Sequence, residues 1–280
     1  ALNHAIAASA SDILVCIDAD TLVGPDTIRQ LIKRFVNEKV AAVSGNLRVA
    51  NLSNWLTINQ DMEYLCISNY EREIFERVNG IIILPGAIGA FRRNRLVEAG
   101  GYDPRRMTED IDVVLKIKEK QHIVLNAEKA VGYTEVPQTL GMYLRQRVRW
   151  RTGILQTTFG YLAKNISNPW FYALVIPYML IFRITLPFIT PFADYYILYA
   201  LFQQADTLPL WLYVGFIGID SSVCMYILGK KKHPRYALAV PFQRLCLRQL
   251  GLLVNADILY RLLKGELFKW RRCERYGTLK

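Results

Sequence analysis

The sequence predicts an α/β domain followed by membrane-embedded helices. Short β-rich apolar runs alternate with helical patterns over the first 150 residues, and two apolar runs of roughly 20 residues occupy the remainder. The charge divides along the same line. Residues 1–150 carry 19 Lys/Arg against 18 Asp/Glu, whereas residues 151–280 carry 16 against 6. A positive surplus beside apolar runs reads as the cytoplasmic face of a membrane region and not as a nucleic-acid groove. Of the 280 residues, 52% are hydrophobic and 21% charged, with mean hydropathy +0.14, which excludes a disordered or fibrous chain. Five scattered cysteines (Cys16, Cys66, Cys224, Cys246 and Cys273) without CxxC or metal-ligand spacing argue against a disulfide framework and fit a reducing compartment. The opening ALNHAIAASA shows no signal peptide and reads as the middle of a domain, so the expectation is a fragment.

Asp12–Ile17 is an apolar, β-rich run and reads as a buried strand of a parallel sheet, ending at Asp18-Ala19-Asp20. Pro25-Asp26 opens a helical pattern over Thr27–Phe35, and Val40–Ser44 reads as the next strand. Residues 55–78, free of Pro and Gly, predict one long amphipathic helix. Ile81–Arg93 is strand-like but interrupted by Pro85, Gly86 and Gly89. Gly100-Gly101 closes a short helix, and another is predicted from Thr108 to about Lys120. Short strands at Ile123–Leu125 and Ala130–Thr134 lead to a helix from Thr139 to Leu162. There are no internal repeats. The domain division is expected at residue 150, with an interfacial helix and the membrane region in 151–280.

Residues 171–192 are apolar apart from Arg183, and 210–229 form a second candidate span. The basic cluster Lys230–Arg235 that follows should be cytoplasmic, which puts the Asp194–Asp206 loop outside. Residues 236–263, interrupted by Arg244, Arg248, Asp257 and Arg261, read either as a third span or as a helix lying in the interface.

Three constellations can carry chemistry. Asp18-x-Asp20 sits at a strand's C-terminal end, where α/β sheets place ligands, and its oxygens suit Mg²⁺ or Mn²⁺ on a diphosphate. Taken alone, the motif is more simply a turn after a strand, with Asp20 or Asp26 capping a helix. Thr108-Glu109-Asp110 opens a helix; Asp110 can serve as a general base towards an incoming hydroxyl, or the triplet is plain helix capping. Gln146, Arg149 and Trp150 share one helix face at i, i+3 and i+4. Arg and Gln can grip a diphosphate while Trp offers a flat surface to a sugar. The competing reading is an interfacial helix whose arginines snorkel, which Arg145, Arg147 and Arg151 fit. GxGxxG, P-loop and GxSxG motifs are absent, the three histidines (His4, His122, His233) form no zinc pattern, and the sequons at Asn51 and Asn165 fall in segments placed in the cytosol.

Taken in this order and followed by spans, the three motifs resemble those of the membrane-embedded, processive family 2 glycosyltransferases. Cellulose, chitin, hyaluronan and poly-N-acetylglucosamine synthases belong to that group. ALNHAI, VCIDAD, VSGNLRVAN (43–51), LPGAIGAFRRNRL (84–96) and MTEDIDVVLKI (107–117) look most like the poly-N-acetylglucosamine synthases. The resemblance implies a GT-A-like domain, N-terminally truncated, that transfers a sugar from a UDP-sugar donor to a growing polysaccharide acceptor with inversion. It implies that Asp18 and Asp20 hold Mg²⁺ or Mn²⁺ on the diphosphate, and that Asp110, with Glu109 beside it, deprotonates the acceptor. Gln146 and Arg149 would contact the diphosphate, Trp150 would floor the acceptor site, and the small Gly86 and Ala87 would admit the acceptor end. The lipid bilayer is an implied partner, nucleic acid is not, and a small accessory membrane subunit stays open. The expected location is the plasma (inner) membrane, multi-pass, with the catalytic domain cytoplasmic. An upstream part carrying the uridine contacts belongs to the family pattern and is not in these 280 residues. Cellulose, chitin or hyaluronan synthesis, transfer of one sugar to a lipid carrier, and a non-enzymatic transporter or scaffold are the competing functions.

Overall fold

The computed structural model of the chain describes residues 1–162, 164, 166, 168–203, 208–231, 233, 236, 237, 239–243 and 247–266. Lys232, Pro234 and Arg235 of the basic cluster, Asn165, Asp206, Arg244, Cys246 and Cys273 lie outside the described residues. Two compact units emerge, the first holding Ala1–Tyr178 and the second Met179–Leu267.

The first unit is organised by one five-stranded sheet. Its strands are β1 (Ile13–Ile17), β2 (Thr21–Val23), β3 (Val40–Val49), β4 (Ile88–Arg92) and β5 (Ile123–Thr134), in the order β1-β4-β3-β5-β2. β3 and β5 are parallel; β4 runs antiparallel to both β1 and β3, and β2 antiparallel to β5. β1, β3 and β5 therefore point the same way, as the βαβ rhythm requires. The expected buried, parallel setting of the first strand is corrected. β1 lies at the sheet edge, pairs antiparallel with β4 and is half-exposed along its length. The inserted strand comes from the segment whose Pro85, Gly86 and Gly89 disguised it. β2 escapes a pattern reading because it is three residues long with two exposed positions. β5 is one strand of 12 residues where two were expected, and its polar middle, Asn126–Lys129, coincides with a register shift against β3. Leu31, Val40, Val43, Ile88, Ala90, Ala127 and Ala130 form the core around this sheet.

The helices of this unit are α1 (Leu2–Ala8), α2 (Thr27–Ile32), α3 (Trp55–Glu63), α4 (Tyr70–Glu76), α5 (Arg93–Glu98), α6 (Glu109–Glu119) and α7 (Leu140–Tyr161). A π-helical turn over Tyr64–Asn69 joins α3 to α4, so the predicted 55–78 helix exists with its ladder widened midway. Asn54 and Thr57 cap α3 reciprocally. Buried Asp61 then ties α3 to β3, accepting from Arg48 Nε at 2.8 Å, Arg48 Nη2 at 2.7 Å and the Val49 amide at 3.1 Å. α7 starts where expected, with Thr139 as its N-cap. Near the far end of α6, the buried Lys118 ammonium donates to the carbonyl and, at 2.9 Å, to the side-chain oxygen of Asn79. Asn79 occupies the left-handed region (φ 47°), and Asn168 donates to the Val78 carbonyl beside it at 3.0 Å.

α8 (Ile176–Tyr178) closes the first unit; the second contains α9 (Leu186–Phe202), α10 (Leu208–Lys230), α11 (Ala239–Phe242) and α12 (Arg248–Leu263). Two stretches are long and apolar enough to cross a bilayer by length and composition: Phe171–Ile197 at mean hydropathy 1.8 and Leu208–Lys230 at 1.5. Within the second unit, Asp194 on α9 accepts from the Tyr213 hydroxyl on α10 and from the Gln249 amide on α12.

Candidate active site

The end of the sheet at which β1, β3 and β5 finish carries the first motif. Asp18 follows β1, and its amide donates to the Ala87 carbonyl at 3.4 Å, just before β4 begins. The antiparallel pairing of Ile17 with Ile88 thus brings Gly86 and Ala87 beside Asp18 although 68 residues separate them in sequence. Gly86 is exposed, and a side chain there would meet open space; Ala87 is buried. The chain then turns, with the Thr21 amide on the Asp18 carbonyl at 3.0 Å, and both carboxylate oxygens of Asp20 are shielded from solvent. Thr21 pairs with Thr134, so Asp20 is held against the finish of β5.

Thr108-Glu109-Asp110 starts α6, but Thr108 does not cap it with its side chain. Its hydroxyl lies 3.3 Å from that of Thr157 on α7. The whole approach to α6 is buttoned to α7 in this way. The Met107 amide donates to Gln156 Oε1 at 3.2 Å, and the Tyr161 hydroxyl donates to Asp112 at 3.3 Å. Asp112 is fully buried and pairs with Arg106 at 3.1 Å and Lys116 at 2.8 Å. None of these supporting residues stood out in the sequence, because isolated Asp, Gln and Thr positions carry no pattern of their own.

Gln146 and Arg149 lie on α7 upstream of that seam. Gln146 is buried, and neither its Oε1 nor the Arg149 Nε has a hydrogen-bond partner among the described residues. A buried polar atom left in this state costs about 1–3 kcal/mol, which a polar ligand would recover. The intervening Arg147 serves the fold instead. Its guanidinium pairs with Glu63 at 2.5 and 2.7 Å and stacks 4.7 Å from the Trp150 ring. Trp150 also packs against Val49, Tyr64 and Val136. The snorkelling explanation therefore does not describe Arg147, which points inward.

Electrostatics link the three motifs. Burial, reinforced by the Glu109 carboxylate, pushes the Asp110 carboxyl up to about 6, while the Ile111 amide and Arg149 pull it down. The Tyr102 phenol feels both Asp110 and Cys16 of β1. Its hydroxyl hydrogen-bonds the Cys16 thiol, and burial first, then the charges of Cys16, Asp110 and Glu109, holds its phenol well above the usual range. A partly buried carboxylate of this kind suits general-base work near neutral pH. Among the described residues no three His, Cys, Asp or Glu side chains converge, so a cation here would have two protein carboxylates at most, Asp18 and Asp20. That donor set fits Mg²⁺ or Mn²⁺, which take one or two carboxylates and complete their shell with phosphate oxygens and water.

A mixed sheet with carboxylates at the strand ends and this helical flank is the GT-A type of glycosyltransferase fold. It aligns with the mannosyltransferase PcManGT from Pyrobaculum calidifontis, solved in complex with GDP-Man and Mn²⁺, at a TM-score of 0.58 and 20% identity, covering 88% of this chain and 66% of that one. Residues 1–153 match the model of the family described as "Glycosyltransferase like family 2", and the chain belongs to that family. The poly-beta-1,6-N-acetyl-D-glucosamine synthases of Staphylococcus aureus (strain COL) and Staphylococcus epidermidis are each 32% identical to this chain over 154 residues. That match covers 55% of this chain and 37% of each relative.

Proposed function

We propose that this enzyme transfers N-acetylglucosamine from UDP-N-acetylglucosamine to a growing polysaccharide, with inversion, and passes the product across the membrane in which it sits. The observation that carries the reading is the partly buried Asp110, with its raised carboxyl, fixed to the helix that bears Gln146 and Arg149. Asp110 takes the proton of the acceptor hydroxyl as that oxygen attacks the anomeric carbon, and Glu109 keeps its affinity for the proton high. Gln146 and Arg149 hold the diphosphate as the leaving group departs. Asp18 and Asp20 would hold Mg²⁺ or Mn²⁺, which supplies further neutralisation of the leaving group. The exposed Gly86 and the small Ala87 leave room for the acceptor end, and Trp150 supplies its floor. Residues 1–150 form the cytoplasmic catalytic part, and 151–280 the interfacial and membrane part in the plasma membrane, with spans near 171–192 and 210–229. The similarity to the staphylococcal synthases supports the donor, and the two apolar helices support export.

The test uses the intact protein in membrane vesicles supplied with UDP-N-acetylglucosamine or UDP-glucose and Mg²⁺ or Mn²⁺, following UDP release and product size. High-molecular-weight polymer from UDP-N-acetylglucosamine, lost in Asp110→Asn, is expected. Turnover unaffected by Asp110→Asn, or polymer from UDP-glucose alone, would overturn the proposal.

A further inference from the structure

α7 carries more of the site than its first motif. Positions 146, 149, 150, 153 and 157 recur at i, i+3, i+4, i+7 and i+11, so they share one helix face. The upstream part of that face presents Gln146 and Arg149. Its downstream part receives the start of α6. Seven residues, about 10 Å of helix rise, separate Gln146 from the junction. At the junction stands Gly153. A Cβ there would fall 2.3 Å from Thr108 Cγ2, 2.8 Å from its Oγ1 and 3.0 Å from its Cβ. Such contacts are impossible, so any side chain at 153 must push Thr108 away. Thr108 has little freedom to rotate aside. It is β-branched and buried, and its hydroxyl is already engaged with Thr157. The displacement therefore passes to the backbone two residues before Asp110.

Resting on the function proposed above, we infer that Gly153 is a positioning residue for the reaction: its missing side chain seats Thr108 and so sets the reach from Asp110 to the diphosphate held by Gln146 and Arg149. The seat is specific to the chemical step. Gln146 and Arg149 belong to α7 itself, so displacing α6 leaves the donor grip in place while moving the base. A base misplaced by an ångström costs about 100-fold in rate, whereas local repacking away from the donor leaves its binding intact.

The experiment compares wild type, Gly153→Ala, Thr108→Ser and the double variant in membrane vesicles, measuring kcat, donor KM and UDP binding. Thr108→Ser removes the Cγ2 atom that makes the closest contact, and the unbranched side chain is free to swing its hydroxyl away from the 2.8 Å contact that remains. Gly153→Ala is expected to lower kcat about 10- to 100-fold with donor KM and UDP binding changed less than about twofold, and the double variant to recover much of the loss. Full activity in Gly153→Ala overturns the inference while an inactive Asp110→Asn leaves the proposed function standing. Loss of kcat and UDP binding together, without recovery in the double variant, overturns it as a simple folding defect. A wild type without turnover on either donor overturns function and inference alike.

Discussion

The sheet end and the α6–α7 seam hold the two halves of the proposed site by different means. Asp18, Gly86 and Ala87 are placed by backbone: strand pairing of β1 with β4 and an amide on a carbonyl. Asp110 is placed by side chains: a threonine pair, a glutamine on an amide, and a buried carboxylate between Arg106 and Lys116. Backbone placement tolerates side-chain exchange, because the ladder survives when the side chain changes. Side-chain placement does not. Substitutions at the sheet end should therefore alter chemistry with little effect on stability, while those at the seam alter both.

The largest expected effect belongs to Asp110→Asn, which should lower kcat by about 10²–10⁴-fold, as loss of a general base does. Asp18→Asn comes next. It should demand about 10- to 100-fold more divalent cation for half-maximal rate, by analogy with damaged metal shells. Thermal unfolding in detergent should not move, since the Asp18 amide still reaches Ala87; a large drop in Tm would erase the contrast between the two halves. Asp112→Ala should behave oppositely. It leaves two cations without their shared acceptor and should cost about 1–3 kcal/mol of stability, visible as a lower Tm, together with activity.

The smallest effect concerns protons. With the Asp110 carboxyl at about 6, kcat/KM should be flat above that pH and fall about tenfold per unit below it. The linked stability has the opposite sense. The folded-state value lies above the ordinary carboxylate one, so the group stabilises the fold while it is protonated in the folded state, and that contribution is lost as pH rises through about 6. Asp110→Asn should then be more stable than wild type at pH 7 by about 1–2 kcal/mol, while being far less active. Equal Tm values would show that burial does not penalise this carboxylate.

Much of this was readable in the chain. The Gln146, Arg149 and Trp150 face follows from helical periodicity, and α7 begins at the threonine that its pattern names. The long helix at 55–78 was equally plain, because no Pro or Gly interrupts it; only its π-helical turn was hidden, since that depends on how the helix packs. What stayed illegible is long-range. Nothing near Asp18 announces that Ala87 will lie against it, because that contact exists only once β4 inserts between β1 and β3. Arg147 looked like one more interfacial arginine until Glu63, 84 residues upstream, came to face it. Gly153 was the nearest miss, lying one heptad from Gln146 on a face already marked by its polar residues.

α6 has a further property, set by its two ends. Asp110 stands in its first turn, and Lys118, whose ammonium burial pushes down to about 7, stands in its last. Between about pH 6 and 7 both are charged, at the very poles where the peptide dipole of a helix favours negative charge first and positive charge last. Above that interval the lysine discharges, and below it the aspartate does. Glu109 and Asp112 share the first turn and Lys116 the last, so Asp110 and Lys118 are the two tunable members of five ionisable groups ranged along that dipole.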